Sequence, residues 1–370
     1  MQLTKYKLGD LITQRREKNK DYDLPIRGVS REGFIKPKIE EADTSIYNVF
    51  YKNDFVFNPA RMELNSIALN LDLDKALCSS LYEVFYVKDE NVVLPEFLNL
   101  HIKRDEFARH CDYIGLGSAR EYCRFANIAE FDIMIPPIEI QREIVQADRQ
   151  IKRRIRLNEQ MIEKLEATAQ ALYRKMFVDG IDKENLPEGW SMGTLSDIAI
   201  ITMGQSPDGE TYNIDGDGMI FYQGRTDFGR RFPKARVYTT SPTREAEIGD
   251  VLLSVRAPVG DLNIAPHKCC LGRGLAGLRS KMKCQSYLYY QMVFLSDVFK
   301  VSDDEGTIFG SINKDDLYNI EVVVPNKQTI ELFNNVASII DNQIRILDGE
   351  IASLQELQSL LLAKMGNLKQ

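Results

Sequence analysis

The chain is poor in the residues on which many enzymes and secreted proteins depend. Three histidines in 370 residues leave few side chains that titrate near neutrality for general acid–base work. Six cysteines are too few for a disulfide scaffold, and reduced thiols are expected. No run of about 18 apolar residues occurs, so no transmembrane helix is expected. The first ten residues lack the apolar core of a secretory signal, and a cytoplasmic chain is expected. Basic excess is also missing. The net charge of −7 argues by itself against a nucleic-acid binder, although binding follows local patches rather than the sum.

Catalytic constellations are equally scarce. No Gly-rich loop ends in Gly-Lys-Ser/Thr, which excludes an ATPase by that signature. Gly115-Leu116-Gly117-Ser118 lacks the third glycine of a dinucleotide loop and is expected as a turn. Asn58-Pro59-Ala60-Arg61 lacks the second proline and the aromatic that an amino-methyltransferase corner would stack on a flipped base. His101, His110, Cys111 and Cys123 form one candidate metal set, and His267, Cys269, Cys270 and Cys284 another. Neither has the paired Cys-x-x-Cys spacing of a zinc site, and no metal is expected. Asp215-Gly216-Asp217-Gly218 is too short for a calcium loop. Asp303-Asp304-Glu305 is expected to be solvated, and no strand carries an evident Asp…Glu-x-Lys nuclease core.

What is present begins with Gln141–Phe177, which has no glycine or proline. Ile144, Ile151, Ile155, Asn158, Ile162, Leu165, Ala169, Leu172 and Met176 mark its seam. From Ile151 the steps alternate four and three, the a/d pattern of a coiled coil. A helix of this length would run about 50 Å. Asn158 is a polar seam residue, expected to lower stability while fixing register. A shift of 189 residues carries Ile144 onto Phe333, Ile151 onto Ile340, Ile155 onto Ile344 and Ile162 onto Ile351. Leu165, Leu172 and Met176 then fall on Leu354, Leu361 and Met365 without a gap. The second copy places its polar seam residue elsewhere, at Gln358. The chain thus reads as two copies of one plan, each ending in a long helix, a domain duplication rather than a solenoid.

The remaining segments support that frame. Phe55–Phe57, Ser66–Leu69, Leu81–Val87 and Ile133–Ile135 are expected strands. Pro95–His110 is expected as one helix with Phe97, Leu98, Ile102 and Phe107 inward. Residues 178–187 read as a linker, with Gly180 as a C-cap and Pro187 as a breaker. Leu195–Ile198 echoes Leu8–Leu11, Gly249–Leu253 echoes Asn53–Phe57, and Val322–Pro325 repeats Ile133–Pro136. The frame repeats well and the loops repeat poorly, as expected of one scaffold with two recognition surfaces.

Two stretches concentrate positive charge. Arg15, Arg16, Lys18, Lys20, Arg27, Arg31, Lys36 and Lys38 are set among glycines and prolines. Between Tyr222 and Tyr238, Arg225, Arg230, Arg231, Lys234 and Arg236 are offset by Asp227 and interleaved with Phe228 and Phe232. Arginine forks read guanine edges, and both cations neutralise phosphate. A solvated basic loop with aromatic anchors is the alternative.

Several motifs resemble those of the specificity (S) subunits of type I restriction–modification systems. Leu186-Pro187-Glu188-Gly189-Trp190 followed by Leu195-Ser196-Asp197-Ile198 is similar to the opening of a target recognition domain. Gly204-Gln205-Ser206-Pro207, Phe221-Tyr222-Gln223-Gly224 and Gly249–Gly260 are similar to that domain's interior motifs. Ile135-Pro136-Pro137 with Gln141 and Ile144 resembles the junction into a spacer helix. The resemblance covers essentially the whole chain, more specifically in its second half. The first half lacks the Pro-Glu-Gly-Trp opening, and the second junction has one proline, Pro325, with Gln328 nearer to it.

The resemblance implies two α/β target recognition domains in tandem, separated by two long helices packed as an antiparallel coiled coil. The expected divisions are residues 1–140 and 181–325 for the recognition domains, and 141–180 and 326–370 for the spacer helices. Each domain would read half of a bipartite, asymmetric site on double-stranded DNA. The chain would have no catalytic activity and bind no cofactor. It would recruit two methyltransferase (M) subunits, joined in the full enzyme by restriction (R) subunits, and these partners would use S-adenosylmethionine, ATP and Mg2+. No membrane is expected among its partners. Arg16, Arg31 and Arg61 are then expected at DNA in the first domain. Gln205, Gln223, Arg225, Arg230, Arg231, Lys234 and Arg256 are expected there in the second. A coiled-coil scaffold that joins proteins without reading DNA is the alternative function.

Overall fold

The computed structural model describes residues 3–20, 23–37, 43–115, 122–304 and 311–367. Lys38, Leu116 to Ser118 and Glu305 lie outside the described residues, as do the expectations placed on them. The chain divides into two compact units, Met1–Leu157 with Glu350–Gln370, and Asn158–Gly349.

The first unit runs β1 (Thr4–Lys7), α1 (Leu8–Leu11), β2 (Ile12–Arg15), β3 (Gly28–Ser30), β4 (Gly33–Ile35), β5 (Asn48–Tyr51), β6 (Phe55–Phe57), β7 (Ile67–Leu69), β8 (Lys75–Cys78), β9 (Glu83–Val87), α2 (Pro95–Ile102), α3 (Asp105–Gly115), α4 (Phe125–Ala129) and β10 (Asp132–Ile135). It also holds the start of α5 (Ile138–Phe177). Its main sheet has the order β2-β9-β6-β7, and β1 pairs antiparallel with β10. Phe55 and Phe57 are fully buried in the sheet's centre, and Phe55 stacks on Phe85 at 4.7 Å.

The second unit continues with β11 (Ser191–Thr194), α6 (Leu195–Ile198), β12 (Ala199–Met203), β13 (Tyr212–Asn213), β14 (Met219–Tyr222), β15 (Tyr238–Thr239), β16 (Glu245–Ala246), β17 (Val251–Ser254), β18 (Leu262–Ile264), β19 (Cys269–Leu271), β20 (Leu275–Ser280), α7 (Gln285–Asp304), α8 (Lys314–Tyr318), β21 (Glu321–Val324) and most of α9 (Lys327–Asn367). Here the order is β12-β20-β17-β18, with β11 paired to β21. Both units therefore build the same four-stranded frame. A second sheet, β13-β15-β14-β19-β16, is added in this unit.

One local device recurs in both frames. Asn53 and Gly249 have positive φ, at 67° and 87°, and turn the chain into β6 and β17. The next residue is a buried aspartate in each case. Asp54 accepts the Tyr51 amide at 2.8 Å, and Asp250 accepts the Glu247 amide at 2.8 Å. A bidentate arginine completes each aspartate: Arg15 at 2.6 and 3.0 Å, and Arg279 at 2.8 Å on both oxygens.

The expected single helix at 95–110 is two helices, broken after Ile102. All four expected inward residues are buried. The break has a physical reason. Lys103 turns its ammonium onto the carbonyls of Arg31 at 2.7 Å and Ile67 at 2.6 Å, tying the chain to the β3–β4 hairpin and to β7, and the buried Asn65 amide donates to the Ile102 carbonyl at 3.1 Å. Gly115 likewise closes α3 rather than opening a turn.

The long helices span 40 and 41 residues. Gln141, fully buried, fixes the entry to α5. Its amide donates to the carbonyls of Val92 and Pro136 at 2.9 Å and accepts from the Leu94 amide at 2.9 Å. Asn326 caps α9 by accepting the Thr329 amide at 2.9 Å. In the first unit, Arg154 forks onto Glu350 at 2.7 and 3.0 Å, and Gln358 donates to Asp148 at 2.7 Å. In the second, Tyr173 and Phe177 of α5 pack edge-on against Phe333 of α9, with ring centroids at 5.6 and 5.4 Å. Asn158 is fully buried, and neither of its polar atoms finds a partner among the described residues. Among those residues no helix is long and apolar enough to cross a membrane.

Candidate nucleic-acid interface

In the first unit β2, the β3–β4 hairpin and the turn after β6 enclose a cleft of about 780 Å³. Arg16, Lys18, Arg27, Lys36, Arg61 and Arg124 line it, and Glu83 is its one carboxylate among the described residues. Glu83 is already engaged. It accepts from Gln14 at 3.2 Å, from Arg124 at 3.2 Å and from the Phe125 amide at 2.7 Å. The cleft is therefore strongly cationic in a chain of net negative charge, an arrangement suited to phosphate.

Each wall has a local cause. Asn58-Pro59-Ala60-Arg61 forms a short 3-10 turn in which the Asn58 side chain accepts the Ala60 amide at 3.1 Å, and Arg61 projects exposed from it. Arg16 donates to Gln14 at 2.8 Å and remains exposed. Arg15 also lines the cleft, but its guanidinium is engaged by Asp54, between the rings of Tyr51 and Tyr86 at 4.7 and 4.6 Å. Thus Arg16 and Arg61 share the cleft, while Arg31 stands apart at the tip of the β3–β4 hairpin. Tyr122 and Arg124 also line it, with the guanidinium 5.4 Å from the ring. No motif in the sequence singles out that pair, which tertiary folding alone brings to the cleft.

In the second unit three segments meet at a cleft of about 680 Å³ that includes Gln205, Gln223 and Arg273. They meet because two glycines have no side chain. A Cβ on Gly204 would lie 2.1 Å from the Gly272 carbonyl oxygen. One on Gly272 would lie 2.8 Å from Cα and 2.9 Å from the carbonyl oxygen of Gln223. Backbone therefore crosses backbone, and Gln205, Gln223 and Arg273 come together at the rim. Glutamine amides pair with adenine edges and arginine forks with guanine edges. Arg273 was not expected; its signal was the Gly-Arg-Gly run between β19 and β20.

The loop between Tyr222 and Tyr238 differs from the expectation of a free cationic surface. Buried Asp227 organises it, accepting the Gln223 amide at 2.7 Å and Arg236 at 2.6 and 3.1 Å. Arg225 pairs with Asp261, and Arg230 lies 3.8 Å from Glu163. Lys234 and Arg256 are exposed, with no side-chain hydrogen bond or ion pair among the described residues. Arg231 is a correction. Its side chain is 1% exposed, ion-paired with Asp341 and lying 3.5 Å from Glu166, so it cannot touch DNA without unfolding its surroundings. Burial raises the Glu166 pKa, with Arg231 and Arg230 opposing that rise.

His101 and His110 sit edge-on to Phe97 and Phe131, and all six cysteines are buried free thiols. Among the described residues no three His, Cys, Asp or Glu side chains form a metal-binding group.

Comparison with known proteins agrees with the duplicated plan. The chain is 31% identical over 334 residues to a Methanocaldococcus jannaschii protein assigned as the MjaX type I restriction enzyme specificity subunit, covering 86% of this chain and 78% of that one. It is 22% identical over 392 residues to the HindI type I specificity subunit of Haemophilus influenzae, covering 80% and 82%. The crystal structure of a type I restriction–modification S subunit from M. genitalium matches with a TM-score of 0.66 at 15% identity, over 98% of this chain and 96% of that one, and so shares the fold. The family model for the type I restriction modification DNA specificity domain matches twice, at residues 3–167 and 187–356, and the chain belongs to that family.

Proposed function

We propose that this chain is the sequence-reading subunit of a type I restriction–modification complex, with each unit reading one half of a bipartite, asymmetric DNA site. One observation carries the reading. Two units share one strand order but differ in the clefts built on it, cationic in the first and Gln/Arg-lined in the second. A shared frame with different reading surfaces matches a target with two different halves.

The proposed contacts are Arg16, Arg31 and Arg61 in the first unit, joined by Arg124. In the second they are Gln205, Gln223, Lys234 and Arg256, joined by Arg273. Arg225 and Arg230 remain proposed contacts that would exchange Asp261 and Glu163 for phosphate. Arg231, buried on Asp341, is not among them.

The long helices are proposed to pack as an antiparallel coiled coil that sets the distance between half-sites. The pairing sense supports this: from Arg154 back to Asp148 on α5, the partner advances from Glu350 to Gln358 on α9. The repeated frame offers two similar docking places, as two methyltransferase subunits require. Those partners would carry S-adenosylmethionine, and restriction subunits would carry ATP and Mg2+; this chain contributes binding and no chemistry.

The test is duplex binding by the chain assembled with its methyltransferase subunit. Arg256→Ala should relax one base position in the second half-site and cost about 1–3 kcal/mol. Unchanged affinity and unchanged base preference for Arg256→Ala, Arg225→Ala and Arg273→Ala together would remove the second unit's face from the DNA.

A further inference from the structure

Arg231 lies within the loop that shapes the second reading surface, yet it faces inward. Its guanidinium meets three helices. From α9, Asp341 pairs with it. From α7, the Tyr290 hydroxyl lies 3.4 and 3.5 Å from its two terminal nitrogens, and the Tyr289 ring lies 4.3 Å below its carbon. From α5, Glu166 lies 3.5 Å away. The Tyr290 hydroxyl also donates to Asp341 at 2.9 Å, which closes the network. On the sheet side, the Arg231 carbonyl accepts the Ile264 amide at 2.8 Å, and the Asn263 side chain accepts the Gly229 amide at 3.1 Å and donates to the Gly229 carbonyl at 3.2 Å.

Such a cluster is a poor way to gain stability. Two carboxylates face one guanidinium, and the Arg231 Nε has no partner among the described residues. A buried apolar residue of similar size would serve folding as well or better. A charged network that fits in one arrangement instead fixes geometry, since its partners lie on helices and its backbone lies on the loop.

We infer that Arg231 is a positioning residue for DNA reading: it bolts the 223–238 loop to the helical segments of its own unit, so that Gln223 and Lys234 meet DNA at one fixed height. The inference rests on the DNA-reading function proposed above. One base-pair step is about 3.4 Å, so a loop that rocks by that much on its helices would engage the neighbouring step. Release of the bolt should therefore widen the set of half-site separations that are accepted. A role in folding alone would lower the yield of complex without changing that set.

The experiment uses the chain assembled with its methyltransferase subunit and a duplex library in which the second half-site and the spacer length vary. Arg231→Met, Asp341→Asn and Tyr290→Phe are compared with wild type, with Arg231→Lys as the conservative rescue. The expected result is at least a threefold rise in methylation of duplexes one base pair longer or shorter than the preferred spacer. Base preference in the first half-site should be unchanged, and Arg231→Lys should lie between. If Arg231→Met fails to assemble, Tyr290→Phe, which removes one hydroxyl, decides the matter. A wild-type spacing profile in every assembled variant would overturn the inference. Wild-type complex that methylates without sequence preference would instead overturn the proposed function.

Discussion

Replacing Gly272 with alanine tests how the second cleft is assembled. The added Cβ would stand 2.8 Å from Gln223 Cα, 2.9 Å from the Gln223 carbonyl oxygen and 3.1 Å from the Tyr222 carbonyl oxygen. All three are backbone atoms, so no side chain can swing aside. Overpacking costs about 1–3 kcal/mol where neighbours yield, and the upper end is expected here. For a unit of this size about 3 kcal/mol lowers Tm by about 6–12 °C. The function should suffer further, because relief requires the Gln223 segment to move away from Arg273. Loss of a base contact costs about 1–3 kcal/mol, which is roughly tenfold in DNA affinity at the second half-site. Gly209→Ala is the control: Gly209 lines the same cleft, but a Cβ there meets nothing within 4 Å. Thermal unfolding and duplex binding of the assembled complex measure both effects. Gly272→Ala with wild-type Tm and wild-type affinity would refute the close-crossing argument, as would equal losses for Gly209→Ala.

Three further outcomes are expected. Arg61→Ala should weaken binding by about 1–3 kcal/mol through the first half-site alone, read as methylation of duplexes mutated in one half at a time. Asn158→Leu should stabilise the chain by about 1–3 kcal/mol in chemical denaturation, because two buried polar atoms lose their unmet desolvation cost. Asp54→Ala should destabilise by about 3–5 kcal/mol, since it strands the part-buried Arg15 guanidinium between two tyrosines.

The frame was legible because hydrophobic spacing survives duplication. The seam positions spaced by 189 residues fall on two helices of nearly equal length, and Asp54 and Asp250 enter equivalent strands by the same turn. The break after Ile102 was not legible. Local spacing continues through Lys103, and the partners that mark the break, the carbonyls of Arg31 and Ile67 and the Asn65 amide on the Ile102 carbonyl, are far away in sequence.

The two clefts were legible in part. Glutamines in glycine-flanked runs marked the second cleft, because close backbone crossing needs glycine in the sequence itself. Arginine identity did not reveal direction. Arg230 and Arg231 are adjacent, yet one is exposed and the other reaches Asp341, more than one hundred residues away. A cationic run reports charge, whereas the carboxylates that neutralise it are placed by the fold. Arg124 and Tyr122 reach the first cleft for the same reason, with no local pattern to announce them.

Methylome sequencing shows whether this chain selects the DNA sequence that is methylated. Cells carrying the methyltransferase partner are compared with and without this chain. The expected result is one bipartite, asymmetric methylated motif that disappears with the chain, and whose second half alone loosens with Arg273→Ala. Identical methylation patterns in the two cell lines would contradict it.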